Sequence, residues 1–196
     1  MEARIQEGSK DWWIQKYETS STYLFGKGPS DFLRENISFL KTGETIDIGM
    51  GEGRNAVYLA SKGFQVTGID FCPVAVERAK QLAKETGVTF EAKLQDLQFF
   101  LMPLMKYNTI AVIDCKLPLT LLKGLARGLA NGGTLLIENY TMEQLKQPGY
   151  KPDPTECYRS NELLDHVRDL QIIYYNERII EGKPAKVELL ARKNLR

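Results

Sequence analysis

Histidine is almost absent. His166 is the only one; it is too isolated to serve as a general base and reads instead as a residue flanking the apolar face of Leu163 and Val167. Cysteine is scarce and unpatterned: Cys72, Cys115 and Cys157 are odd in number and form no C-x-x-C pair. That argues against a zinc site or a disulfide framework and for free thiols in a reducing, cytoplasmic setting. Neither sign of charge is in excess, with 26 Lys and Arg against 25 Asp and Glu. A phosphate-backbone binder needs a local cationic surplus, so nucleic acid is not an expected partner. No apolar run approaches the ~20 residues needed to cross a bilayer. The opening MEARIQEGSKDWW has acidic residues and no apolar h-region, so a membrane span and a secretory leader are both unexpected. What remains, 43% hydrophobic and 26% charged residues, suits one globular domain with a sizeable core.

Within that domain an alternation of strand and helix patterns begins at residue 44. Strands are expected at 44–48, 65–69, 88–92, 108–114 and 134–138, and helices at 54–62, 73–86 and 118–130. Pro73 sits in the first turn of its helix and Gly87 ends it. A Pro-rich loop at 147–159 follows, then a helix capped by Ser160 that buries Leu163, Leu164, Val167 and Leu170. Strands at 172–179 and 185–191 close the chain as a hairpin. The pattern predicts an α/β, Rossmann-like three-layer sandwich: a mostly parallel sheet, covered on both faces, with an antiparallel C-terminal hairpin. Ahead of it, residues 1–42 form an aromatic, partly helical segment with Ser30 as a helix cap, so the single domain divides into a lid-like 1–42 and a core of 43–196.

Ligands of such sheets bind beyond the carboxyl ends of the strands. There the sequence reads IDIGMGEGRNA, residues 46–56. The spacing is G-x-G-x-G, and Arg54 stands where a dinucleotide fingerprint wants a third small residue. Asp47 and Glu52 would face a pyrophosphate with like charge. S-adenosylmethionine has no phosphate. Its ammonium and sulfonium suit an acidic strand end, and its carboxylate suits a helix N-terminus. Asp70, about 20 residues further on at the end of the second strand, can accept both ribose hydroxyls of either kind of cofactor.

The run DIGMGEGRNA followed by VTGID at 66–70 resembles motif I and the acidic second-strand end of class I S-adenosylmethionine-dependent methyltransferases. GEGRNAVYLA (51–60), YLFGKGPSDFL (23–33) and VELLARK (187–193) make the chain similar to the small tellurite-resistance-type members over about residues 11–193. The resemblance implies a seven-stranded sheet with Gly49, Gly51 and Gly53 along the methionine part of the cofactor and Asp47 near its ammonium. It further implies Asp70 on the ribose, Phe71 beside the adenine, Asp96 on the adenine amino group and the Leu97 amide on a ring nitrogen. Arg54 and Asn55 either bind cofactor or order the N-terminal segment.

Methyl transfer needs alignment and water exclusion more than a triad, and a base only where the nucleophile must lose a proton. Catalytic candidates are correspondingly weak. Lys116 stands where similar proteins commonly have histidine; it either holds an anionic acceptor or is a solvated lysine at the loop mouth. Arg159 and Tyr158, after the Pro-rich loop, either touch substrate or form a loop-to-helix junction. Cys115 has no neighbour in sequence that would make it a thiolate. The aromatics of 12–25 either cover the cofactor or pack as core. The expected function is methyl transfer from S-adenosylmethionine to a small acceptor such as a thiol, a chalcogen oxyanion or a similar anion, without metal. A non-catalytic cofactor-binding regulator and, further off, an NAD-dependent oxidoreductase are the rivals.

Overall fold

The computed structural model describes residues 6–195; the expectations that reach residues 1–5 lie outside that range. Seven strands form one sheet in the order β3-β2-β1-β4-β5-β7-β6: β1 (Glu44–Ile48), β2 (Gln65–Asp70), β3 (Glu91–Leu94), β4 (Tyr107–Ile113), β5 (Leu129–Tyr140), β6 (Gln171–Asn176) and β7 (Lys186–Arg192). The first five run parallel, and β7 joins β5 and β6 antiparallel. Strand alternation splits the core in two. Ile46, Ile48, Ile110, Val112, Leu135 and Leu189 point to one face, while Ala111, Ile113, Leu136 and Leu190 point to the other. Both faces are apolar because both are covered.

Helix α1 (Lys10–Thr19) begins on a Ser9 cap and α2 (Asp31–Asn36) on Ser30, whose hydroxyl accepts from the Leu33 amide. Helix α3 (Arg54–Ser61) follows the glycine turn and α4 (Pro73–Thr86) ends on Gly87 at φ +70°.

Four elements differ most from the sequence reading, and β6 also stops at Asn176, three residues short of the strand expected at 172–179. The third strand is displaced from 88–92 to Glu91–Leu94, an edge position where only one neighbour constrains register. The expected helix 118–130 is two single turns, α5 (Leu119–Leu122) and α6 (Leu125–Gly128). Two glycines weaken it, and Met102 packs so close to Gly128 that a Cβ there would lie 2.5 Å from it. Strand β5 starts at Leu129, so Asn131-Gly132-Gly133 lies inside the strand, at a register shift between Tyr107 and Thr109 of its partner. The helix expected after Ser160 is one 3-10 turn, Leu164–His166. Ser160 donates its hydroxyl to Glu177 at 2.8 Å, so it is not a helix cap, and Asn161 adopts φ +61°. Leu163, Val167 and Leu170 are still buried, because their spacing suits an irregular segment pressed on the sheet equally well.

Candidate functional site

The glycine turn is bound to the neighbouring strand. Gly49 and Met50 donate their amides to the Ile69 carbonyl at 2.9 and 3.0 Å. Gly51 donates to Asp70 Oδ2 at 2.9 Å, while Asp70 Oδ1 accepts from the Cys72 amide at 2.9 Å. Asp70 is thus fixed by two neutral donors with no ion pair among the described residues, and burial raises its carboxyl above the ordinary aspartate range.

Two of the glycines do different work. Gly51 sits at φ +53°, and a Cβ there would lie 2.8 Å from the Tyr17 hydroxyl, so its bare backbone faces the cavity under α1. Gly53 sits at φ +83°, and its Cβ would lie 2.7 Å from Ala79 Cβ. It lets α3 start tightly against α4 and does not line the cavity.

That cavity, about 300 Å³, lies past the carboxyl ends of the parallel strands. Of the residues expected from sequence, Gly49, Gly51, Arg54, Asn55, Asp70, Phe71, Asp96, Leu97 and Lys116 line it; Asp47, Gly53 and Arg159 do not. Asp47 is beneath the turn, 1% exposed. Strand alternation directs it to the α3 face, the same as Ala111, its register partner. Its Oδ2 has no hydrogen-bond partner among the described residues. Burial pushes its carboxyl up to about 7, against the pull of Arg54. Glu52 lines the cavity but is committed to structure: it accepts from the Leu24 amide and from Arg78, both at 2.7 Å.

Arg54 and Asn55 order the N-terminal segment. Arg54 donates to the Gly28 carbonyl at 3.3 Å and to Asp114 at 2.8 Å, and Asn55 accepts from the Ser30 amide at 2.9 Å. The Asp114 carboxylate also takes Lys186 at 2.6 Å, and Lys186 reaches Glu138 at 2.7 Å. Burial works against the charge on Lys186, but Asp114 and Glu138 outweigh it and hold the ammonium above its usual range. Asp96 pairs with Lys10 of α1, which draws its carboxyl below the usual range.

The remaining candidates are settled by their neighbours. Lys116 donates to the Cys157 carbonyl at 2.8 Å and to Glu162 at 2.9 Å, and lies 3.9 Å above the Tyr158 ring. It is a strut between the β4 end and the 157–162 segment, neither a solvated lysine nor a free cation. Arg159 is exposed, and its amide donates to Glu162. Tyr158 is fully buried. Cys115 packs on Gly49, and burial together with Asp70 and Asp47 keeps its thiol strongly protonated.

The aromatics of 12–25, expected either to cover the cofactor or to pack as core, meet the 139–156 stretch at the other end of the cavity. Trp13, Tyr17 and Phe25 cover it from the N-terminal segment, and Asn139, Tyr140, Tyr150 and Glu156 close it from the β5 end and the loop beyond. Trp13 donates its indole N–H to Glu156 at 2.5 Å, and Asn139 donates to the Glu156 carbonyl at 2.9 Å. Only the aromatic richness of 10–40 hinted at this wall; nothing marks Glu156 within its Pro-rich loop.

A methyltransferase-domain profile matches residues 46–133. Residues 46–133 are thus a methyltransferase domain, set on the sheet and glycine turn described above. That domain and fold imply S-adenosylmethionine as cofactor. The ubiquinone biosynthesis O-methyltransferase of Coxiella burnetii (strain Dugway 5J108-111) is 23% identical over 112 residues, 57% of this chain and 47% of that protein. The chain spans about half or less of the length of the curated relatives it matches. Among solved structures, TehB from Haemophilus influenzae superposes with a TM-score of 0.67 at 21% identity, over 94% of this chain and 66% of that one. The cyclase SpnF does so at 0.66 and 17% identity, over 85% and 80%. These last two are likenesses of fold.

The residues present fit the cofactor. A backbone that tolerates no Cβ faces the cavity at Gly51, a buried carboxylate oxygen without a partner lies under the turn at Asp47, and carboxylates stand at the ends of β2 and β3. Among the described residues no helix is long and apolar enough to cross a membrane, and no three His, Cys, Asp or Glu side chains cluster as metal ligands.

Proposed function

We propose that this chain transfers the methyl group of S-adenosylmethionine to a small-molecule acceptor. The observation that carries the reading is the continuity of one cavity. Its glycine-turn end has the chemistry for an amino-acid tail and a nucleoside, and its other end is lined by aromatic rings. An in-line displacement at carbon needs its two reactants side by side in such a space. The cofactor supplies the activated methyl group when bound.

In this reading Gly49 and Gly51 pass close to the methionine part, and Asp47 offsets the ammonium from below. Asp70 accepts from the ribose, and Phe71, Asp96 and Leu97 take the adenine. Gly53 supports the turn from behind. Trp13, Tyr17 and Phe25 then act as a cover over the bound pair, held by the Lys10–Asp96 and Trp13–Glu156 bonds. Three free thiols agree with a reducing compartment.

A cofactor-binding protein without transfer is the rival, favoured by one observation: a cyclase shares the fold. Production of S-adenosylhomocysteine across thiols, chalcogen oxyanions, amines and carboxylic acids separates the two. Binding of S-adenosylmethionine with no turnover on any acceptor overturns transfer. Tighter binding of NAD in calorimetry overturns the cofactor as well.

A further inference from the structure

The charges lining the cavity restrict what its aromatic end can accept. Three cations line it, and each has a carboxylate against it: Lys10 with Asp96, Arg54 with Asp114 at 2.8 Å, and Lys116 with Glu162 at 2.9 Å. An oxyanion would have to displace one of those carboxylates. Two lining carboxylates, by contrast, form no ion pair among the described residues, although the Lys16 ammonium acts on Glu156 through space. Asp70 belongs to the cofactor end. Glu156 stands at the other, with Oε1 on the Trp13 indole at 2.5 Å and a backbone hydrogen bond to its carboxyl from Asp153. The rings at this end are Trp13, Tyr140 and Tyr150.

Such rings attract cations through their faces, and two of these already do so outside the cavity. The Lys16 ammonium lies 5.1 Å from the centroid of Trp13 and 5.2 Å from that of Tyr150.

Resting on the methyl-transfer reading, we infer that the acceptor is an amine, bound as its ammonium between these rings and Glu156. Glu156 takes the proton that the nitrogen must lose before it can react. The nitrogen lone pair then forms a bond to the methyl carbon as the carbon–sulfur bond breaks, and that bond's electron pair stays on sulfur. The products are a methylammonium and S-adenosylhomocysteine, and the proton leaves Glu156 for water as the site opens. Burial raises the Glu156 carboxyl above its ordinary range, more than the Trp13 bond lowers it, which suits a group that must hold a proton.

Binding and turnover test this separately. With S-adenosylhomocysteine present, choline should bind at least tenfold more tightly than its uncharged isostere 3,3-dimethylbutan-1-ol, and E156Q should erase that difference. Equal affinity of the two probes, or no binding of either, overturns the inference whatever the activity. In turnover, 2-phenylethylamine should be methylated, and E156Q should lower kcat at least a hundredfold while S-adenosylmethionine affinity changes less than twofold. Methylation of 2-phenylethanethiol, selenite or tellurite but not of the amine overturns the amine assignment and leaves methyl transfer standing. Binding of S-adenosylmethionine with no turnover of any of the four acceptors defeats the transfer reading itself.

Discussion

The two ends of the cavity are built by different rules. The cofactor end is assembled from residues 49–55, 70–71 and 96–97, and most of its turn bonds are made within the continuous run from β1 to just past β3: Gly51 to Asp70, Asp70 to Cys72, Asp96 to Gln98. The acceptor end is assembled from segments far apart in sequence, as in the Trp13–Glu156 bond that spans 143 positions. The first is a backbone shape that one short stretch dictates. The second is a meeting of side chains that exists only once the sheet has formed.

The sharpest test of that difference is a pair of substitutions two residues apart. Gly53→Ala forces a Cβ into Ala79 at a left-handed φ. It should cost about 2–5 kcal/mol in denaturant unfolding, the sum of left-handed strain and overpacking. Gly51→Val carries left-handed strain too, with its Cβ 2.8 Å from the Tyr17 hydroxyl, but it should in addition abolish S-adenosylmethionine binding, because its side chain points where the cofactor passes. If both variants lose stability equally and neither loses binding selectively, the turn is only a structural corner.

Next in size is Asp47. Its carboxyl titrates near 7 in the folded chain and near 3.8 in the unfolded one. Between those values the folded state keeps a proton that the unfolded state has lost, so this group makes stability fall as pH rises through the window. The slope reaches about 1.4 kcal/mol per pH unit at its steepest. Asp47→Asn removes it, so the stability difference between variant and parent should grow in the variant's favour from pH 4 to 7 and then level off. Chemical unfolding at a series of pH values reads this directly, and a constant difference would mean that Asp47 is ionised throughout. A cofactor ammonium above Asp47 adds a second expectation. Parent affinity should tighten from pH 6 to 8 with proton release, and Asp47→Asn should not show this.

The contrast also explains what the sequence disclosed. β1 and α4 were legible to the residue because both ends of each are marked: Gly43 and the glycine turn bracket the strand, and Pro73 and Gly87 bracket the helix. The helix expected at 118–130 and the one after Ser160 were not, since apolar spacing alone does not distinguish a helix from turns pressed on a sheet. Lys116 was legible as a residue at the strand end but not as a strut. Its partners, Cys157, Tyr158 and Glu162, lie some 40 positions away. The Arg54–Asp114–Lys186–Glu138 chain joins four elements and leaves no local trace.

Asp70→Ala comes third. It removes the acceptor for the Gly51 and Cys72 amides and, in the proposed complex, for the ribose hydroxyls. S-adenosylmethionine affinity should weaken by about 1–3 kcal/mol, the range for charge-assisted hydrogen bonds. S-adenosylhomocysteine, which shares the ribose, should weaken equally. A loss confined to the sulfonium form would instead place Asp70 as a charge partner of sulfur and remove the ribose assignment.

The smallest effect is expected at Lys116, and its smallness is what makes it informative. The ammonium is partly exposed, with 21% of the side chain accessible, and Glu162 at 26%. A pair so placed contributes only about 0–1 kcal/mol, and the ring of Tyr158 adds a comparable amount. Lys116→Met keeps the aliphatic stem over that ring and removes the charge. Unfolding should shift by about 1 kcal/mol or less, and KM for the acceptor should not change. If Lys116 instead held an anionic acceptor, KM would rise tenfold or more with the fold intact, and adding salt would mimic the substitution. Arg159→Ala supplies the baseline, because that side chain lies outside the cavity and should move neither quantity. A KM response at Lys116 alone would therefore show that its bond to Glu162 opens for substrate. The acceptor end of the cavity would then hold a cation in reserve that the cofactor end does not.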